Sequence, residues 1–120
     1  MLGQASRFLA VGLVSTGVHY VIATLVIYWW SASVFHANIV GYAVAMFVSY
    51  FGHSLYSFKT SLGLIVFTKF CFINTLIFSV SAITSWYIDL TNLNSYVGIT
   101  IAIIVFPITS FIVHKYLTFV

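Results

Sequence analysis

Four long apolar runs, separated only by short polar or turn-forming clusters, constrain this chain more than any other feature of its sequence. We place them at about Phe8 to Trp29, Ala37 to Tyr56, Ile65 to Ile88 and Tyr96 to Tyr116. Each run has roughly the 20 residues that an α-helix needs to cross the hydrocarbon core of a bilayer. Since an open sheet would leave backbone groups unpaired in hydrocarbon, only helices suit these runs. The sequence therefore predicts an all-α integral membrane protein with four transmembrane helices.

The composition leaves too little polar surface for a water-soluble fold. Hydrophobic residues make up 62% of the 120 residues and charged residues only 4%, whereas soluble domains carry roughly 25% charged residues. We therefore predict a single transmembrane domain over residues 1–120. A cleavable secretory signal is the alternative for the first run, but that run is about twice as long as the usual signal core of roughly 7 to 15 residues.

The few charged residues predict the orientation in the membrane. Arg7, Lys59, Lys69 and Lys115 all fall on the side shared by the two termini and the middle loop, whereas Asp89 falls on the other side. Because cytoplasmic loops carry an excess of Lys and Arg, both termini are predicted to be cytoplasmic. The basic rim would face anionic lipid, and it lacks the basic and aromatic surface typical of nucleic-acid binding.

The two halves of the chain resemble each other at an offset of 61 or 62 residues. The first and third runs begin alike, with Arg7-Phe8 and Lys69-Phe70. Small residues at four-residue spacing allow helix backbones to approach closely, and such a series followed by Ser-xxx-His occurs in both halves. Because each repeat holds two spans, about 7–59 and 69–120, the repeats are parallel. The matching series are Ala37, Gly41, Ala45, Ser49 and His53, and Gly98, Ala102, Phe106, Ser110 and His114.

Three local motifs accompany this duplication: the basic-Phe start at Arg7, a Gly-x-x-Ser-Thr element from Gly12 to Thr16, and the helix end from His53 to Phe58. In these motifs, its length and its topology, the chain resembles the GtrA-like family of small four-helix membrane proteins. The resemblance implies translocation of polyprenyl-phosphate-linked (bactoprenol-linked) glucose to the outer leaflet of the bacterial cytoplasmic (inner) membrane. It also implies membrane glycosyltransferases as partners, since the glucose modifies O-antigen or another surface polysaccharide.

Such a cargo needs a phosphate-binding rim and hydrogen-bonding groups along a path, because unsatisfied polar groups in hydrocarbon cost several kcal/mol each. Pro107 is a candidate hinge, since it removes a backbone donor inside the fourth helix. The candidates for lipid-phosphate binding are Arg7, Lys69, Lys59 and Lys115. The candidates for the translocation path are Ser15, Thr16, His19, Asn74, Thr75, Ser49, His53, Ser110 and His114.

The alternative to each assignment is structural. Membrane Ser and Thr often bond to their own helix backbone or join helices, and cations set topology in any membrane protein. For His19, a buried hydrogen bond between helices is favoured over a ligand contact. Asp89 is expected to cap the outer turn with Asn92 and Asn94.

We expect no enzymatic activity, because the chain's one carboxylate has no partner for general acid-base chemistry. No cofactor is expected, and no metal site either, since the histidines lie on different helices or a loop. A non-transporting scaffold for a glycosyltransferase remains open. A small multidrug-type exporter is a weaker alternative, because it needs a carboxylate inside the bundle. Four helices normally fill their own core, so we expect a homodimer with small-residue faces of the second or fourth helices at its interface.

Overall fold

The computed structural model describes the backbone of residues 2–92 and 95–120, and their side chains except for residues 34, 35, 81, 82, 85, 89 and 95–103. Every regular element within these ranges is helical, which confirms the predicted all-α class. The chain divides into two compact units, Met1–Leu62 and Gly63–Val120. Each unit contains one of the two predicted repeats.

The first unit is a helical hairpin that ends in a short stretch of π-helix. Helix α1 spans Leu2–Trp30 and α2 spans Val34–Gly52, and the π-helical residues His53–Ser57 follow without a break; we call them the first π segment. The turn between the helices is short because Ser31 adopts a positive φ of 49°. Ser33 then caps α2 by accepting a hydrogen bond from the backbone N–H of His36, which satisfies one of the free donors at a helix start.

Helices α1 and α2 approach closely through the predicted small-residue face. Ala37 is fully buried, and a Cβ atom built on Gly41 would lie 2.7 Å from the carbonyl oxygen of His19. A Cβ atom on Gly52 would lie equally close to Cγ1 of Val11. Close approach through small residues is therefore confirmed for this helix pair. The same face was predicted to form a dimer interface; in this unit it packs against α1, and the dimer stays a prediction.

The second unit repeats this arrangement of elements. Helix α3 spans Leu64–Leu90, α4 spans Ser95–Val113, and π-helical residues His114–Thr118 form the second π segment. Helix α4 continues through Pro107. The small residues predicted on α4, Gly98 and Ala102, lie outside the described side chains, as do Asp89 and Asn94 of the predicted outer cap.

Two described segments, Leu2–Trp30 and His36–Ser57, are long and apolar enough to cross a membrane. Large apolar side chains also stay exposed along both units, including Leu13 and Phe78, as expected where lipid replaces water as the solvent. The apolar stretches described in the second unit, Leu64–Val80 and Ile104–Thr118, are shorter. A membrane protein is supported, while four crossings and their orientation remain predictions.

Candidate functional site

A buried histidine begins the first π segment and joins it to the start of α1. The ring of His53 stacks on Phe8, with centroids 4.1 Å apart and planes inclined by 16°. Its Nδ1 atom lies 3.2 Å from Oγ of Ser57. The backbone N–H of Phe58 donates to the carbonyl of His53 at 2.9 Å. The ring of Phe58 meets that of Phe8 edge-on, with centroids 6.0 Å apart. The two ends of the first repeat therefore meet in one cluster.

The second π segment is built in the same way. The ring of His114 stacks on Phe70 with centroids 5.0 Å apart, and its Nδ1 atom lies 2.9 Å from Oγ1 of Thr118. The backbone N–H of Phe119 donates to the carbonyl of His114 at 2.9 Å. In addition, Nε2 of His114 lies 3.4 Å from Oδ1 of Asn74. Two residues predicted on the translocation path are thus in contact inside the second unit.

Both histidines are shielded by aromatic rings of their own unit. His53 is 3% exposed and His114 is fully buried, so neither imidazole faces an open surface of its own unit. A π-helical stretch is rare and occurs frequently at functional sites, and here it turns a hydroxyl back onto the imidazole. The arrangement stabilises one end of each unit and fixes the position of the residues around it.

Arg7 contacts the first π segment, and Ser54 within that segment and Thr60 after it also bury polar atoms. Its Nη2 atom donates to the carbonyl of Ser57 at 3.4 Å, and its Cζ atom lies 5.9 Å from the ring centroid of Tyr56. The Nε atom of Arg7 is buried without a hydrogen-bond partner, as are Oγ of Ser54 and Oγ1 of Thr60. A backbone hydrogen bond of 2.8 Å from Thr60 to Ser54 holds these two residues together. We call Arg7, Ser54 and Thr60 the orphan donor group.

This group has the chemistry of an anion site. A buried donor without a partner costs about 1–3 kcal/mol, so such atoms in a native structure need an explanation. Phosphate oxygens accept hydrogen bonds from guanidinium and hydroxyl groups, and the planar guanidinium can donate two parallel hydrogen bonds.

The other three predicted phosphate ligands are placed differently. Lys59 and Lys69 are both exposed, at the end of the first unit and in the first turns of α3. Lys59 has a positive φ of 54°. Lys115 is half-buried, and its Nζ atom lies 5.8 Å from the ring centroid of Phe111 and 5.6 Å from that of Tyr116. Within the first unit, Arg7 is thus the predicted cation that adjoins buried polar atoms.

A second polar feature of the first unit is an open cleft between α1 and the first turns of α2. Nε2 of His19 lies 3.3 Å from Oδ1 of Asn38, and the His19 ring meets Tyr42 edge-on with centroids 6.3 Å apart. The cleft has a volume of about 370 Å³, near the lower end of the range for small-molecule sites. Besides buried Ala23, its lining residues are Thr16, His19, Tyr20, Thr24, Ile27 and Asn38.

Two threonines predicted on the path bond within their own helices. Thr16 donates to the carbonyl of Gly12 and Thr75 to that of Cys71, each at 2.9 Å, which is the structural alternative expected for such residues. Ser15 is buried, and its Oγ atom has no hydrogen-bond partner. The remaining predicted residues of the path and the hinge are at least partly exposed: Ser49, Ser110 and Pro107.

Sequence reasoning missed several residues that the structure places at these features. Asn38 carries an amide inside an apolar run, and the same criterion that singled out Asn74 would have found it. Ser54 and Thr60 carry no sequence signal, because Ser and Thr are common near helix ends. The repeated spacing from His53 to Ser57 and from His114 to Thr118 was visible, but a π-helical stretch was not predicted.

Comparison with known protein families gives one match that covers nearly the whole chain. The family model described as GtrA/DPMS, transmembrane domain, matches residues 7–119. Neither a curated protein nor a solved structure is significantly similar to the chain.

Proposed function

This chain belongs to the GtrA/DPMS transmembrane-domain family, and from that premise we propose that it translocates polyprenyl-phosphate-linked glucose across the bacterial cytoplasmic membrane. The family suggests a membrane function related to glycosyl carrier lipids. In the proposed reaction the lipid moves from the inner to the outer leaflet, where membrane glycosyltransferases use it to modify O-antigen or another surface polysaccharide. The protein acts as a carrier without an enzymatic step.

The observation that carries the proposal is the orphan donor group beside the first π segment. The polyprenyl tail is soluble in lipid, so the phosphate and the sugar are the parts that a carrier must accommodate. Arg7 supplies a positive charge and up to five N–H donors, while Ser54 and Thr60 add hydroxyl donors within and just after the π segment that Arg7 contacts. In the predicted topology this group lies at the cytoplasmic rim, where an inner-leaflet lipid phosphate would first meet the protein.

The remaining predicted residues have roles that follow from their positions in each unit. Lys69 begins the second repeat at the place that Arg7 occupies in the first, and we propose that it also attracts the phosphate. Lys59 and Lys115 add positive charge to the same rim in the predicted topology. His19 of the first unit and Asn74 of the second are the proposed deeper contacts, since amide and imidazole groups inside a membrane tend to mark a substrate path.

We also propose that the working form is a homodimer, with its contact on a face other than the covered face of α2. Mass measurement of the protein in nanodiscs tests this directly, and a fully active monomer would contradict it.

The function is tested by reconstitution in liposomes loaded from one side with fluorescent short-chain polyprenyl-phosphate-glucose. We expect delivery to the opposite leaflet to be faster than in protein-free liposomes and in liposomes containing Arg7→Gln. An unchanged rate, combined with co-purification of the protein with a membrane glycosyltransferase, would instead indicate the non-transporting scaffold.

A further inference from the structure

We propose that His19 and Asn38 form a binding site for sugar hydroxyl groups, separate from the phosphate-binding group at Arg7. The inference rests on the proposed function and deepens it, because it assigns the recognition of the sugar to one cleft of the first unit. It starts from a pair of polar side chains that α1 and α2 hold together at an open surface.

The pair offers a donor and an acceptor side by side. When the Nε2 atom of His19 carries the proton, it donates to Oδ1 of Asn38 across 3.3 Å. The Nδ1 atom of His19 is then an acceptor, and the side-chain amide of Asn38 keeps two N–H donors. A sugar hydroxyl is itself both donor and acceptor, so two neighbouring hydroxyls of one ring complement this pair.

The position of the pair is held by the close approach of the two helices. Gly41 faces the backbone carbonyl and the ring of His19 so tightly that an added Cβ atom would lie 2.7 Å from each. Ala23, one turn after His19 on α1, lies 3.2 Å from that Cβ position. The imidazole therefore sits against a rigid backbone surface, which is the preorganisation that a specific polar site requires.

The cleft also lies at a depth in the bilayer where the hydroxyl groups of a sugar are costly to desolvate. It extends along α1 from Thr16 to Ile27, which at 1.5 Å per residue is about 16 Å of helix. In the predicted topology this is the outer half of the bilayer. Polar side chains facing hydrocarbon there are costly, and an imidazole and amide pair that binds hydroxyls lowers the cost for both the protein and the sugar.

Threonines of the same cleft are less suited to this role. The hydroxyls of Thr16 and Thr24 donate hydrogen bonds to the carbonyls of Gly12 and Tyr20, at 2.9 Å and 2.8 Å. They keep only acceptor capacity toward the cleft. The donors that this surface offers to a sugar hydroxyl are therefore the amide N–H groups of Asn38 and the phenol of Tyr20, while Nδ1 of His19 accepts.

The test compares two ligands that differ only in the sugar. Short-chain polyprenyl phosphate and polyprenyl-phosphate-glucose are titrated against the full chain in nanodiscs. We expect the wild-type protein to bind the glucosylated lipid about tenfold more tightly, because the sugar adds one or two hydrogen bonds. Asn38→Leu and His19→Phe should reduce this preference to near unity and leave the affinity for polyprenyl phosphate within about twofold.

Two further variants keep the result interpretable. Thr84→Val serves as the control, because Thr84 lies on α3 and donates to the carbonyl of Val80 in its own helix; it should keep the full preference. If Asn38→Leu loses both ligands, Asn38→Ser replaces it as the test: its hydroxyl substitutes for part of the amide's hydrogen bonding, so it should show a partial loss of preference with normal affinity for polyprenyl phosphate.

The outcomes separate this site from the function on which it rests. Variants that retain the wild-type preference overturn the sugar site, even if the liposome assay shows transport. A preference that depends on His19 and Asn38, in a protein that transports nothing, supports the sugar site and overturns translocation. A wild-type protein that does not distinguish the two lipids overturns the sugar site.

Discussion

His53 stacks face to face on Phe8 with ring centroids 4.1 Å apart, and this contact ties the end of α2 to the start of α1. His114 and Phe70 form the corresponding contact in the second unit, at 5.0 Å. Each unit is thus closed at the same end by one imidazole and one phenyl ring. The sequence duplication therefore includes this His–Phe contact as well as the two helices of each unit.

Loss of the stacked ring should destabilise the first unit. We expect Phe8→Leu to lower the free energy of unfolding by about 1–2 kcal/mol, because a buried aromatic contact and part of the packed volume are lost. The measurement is unfolding in mixed detergent micelles. Phe72→Leu is the matched control, since Phe72 is 64% exposed and should change stability by less than about 0.5 kcal/mol. Equal effects of the two substitutions would contradict a role for the stack.

Two glycine substitutions should differ in their effect on the stability of the first unit. Gly41→Ala places a methyl group against the backbone carbonyl of His19, and separating the helices to admit it should cost about 1–3 kcal/mol. Gly17→Ala, on α1, meets no atom within 4 Å and should be neutral or slightly stabilising. Thermal unfolding of both variants in the same detergent checks this. A stable Gly41→Ala protein would show that α1 and α2 are not held in close contact.

The hydroxyl of Thr118 is expected to matter more than that of Thr75. Thr118→Val keeps the shape but removes the Oγ1 partner of a buried imidazole, which should cost about 1–3 kcal/mol. Thr75→Val removes a hydroxyl that is exposed and bonded within its own helix, so little change is expected. Reversible unfolding of both proteins measures the difference. If both variants match the parent, the contact between His114 and Thr118 does not stabilise the second π segment.

Arg7 should be sensitive to a change that conserves its charge. A guanidinium can hold phosphate through two parallel bonds, whereas the ammonium of lysine is a point charge. Arg7→Lys should therefore impair transport of labelled polyprenyl-phosphate-glucose, and Arg7→Gln should reduce apparent affinity by about tenfold to hundredfold. Lys69→Gln is expected to have a smaller effect, because exposed Lys69 contributes a screened charge. If all three variants transport like the parent at matched protein levels, the basic rim only sets orientation.

The predicted orientation is accessible to cysteine labelling in a Cys71→Ser background. Cysteines at Ser6, Ser61 and Val120 should resist a membrane-impermeant thiol reagent in intact cells, because these positions share the basic side of the chain. Cysteines at Ser33, just before α2, and at Ser95, the first residue of α4, should react. Permeabilised cells serve as the control, in which all five should be labelled. The opposite pattern would reverse the topology and place Arg7 on the outer face.

Much of the fold and part of the candidate site could be predicted from the sequence. The lengths of the apolar runs predicted four helices whose bounds agree with α1 to α4 within a few residues, except that α1 begins six residues earlier, at Leu2. The agreement is close because the length and composition of a membrane helix are local properties. The series Ala37, Gly41, Ala45 likewise predicted a close helix contact. The same series was also assigned to a dimer interface, and this stays a prediction, since small residues specify close approach but not which helix approaches.

What the sequence by itself determined was therefore the helical class, the membrane environment and the duplication. Only the tertiary structure decided which groups meet: that Phe8 covers His53, that Asn38 reaches His19, and that Arg7 reaches the carbonyl of Ser57. Such contacts depend on the rotation of one helix against another and on the π-helical residues that follow α2. That rotation is determined by many small packing contacts spread over both helices, so no single sequence motif predicts it.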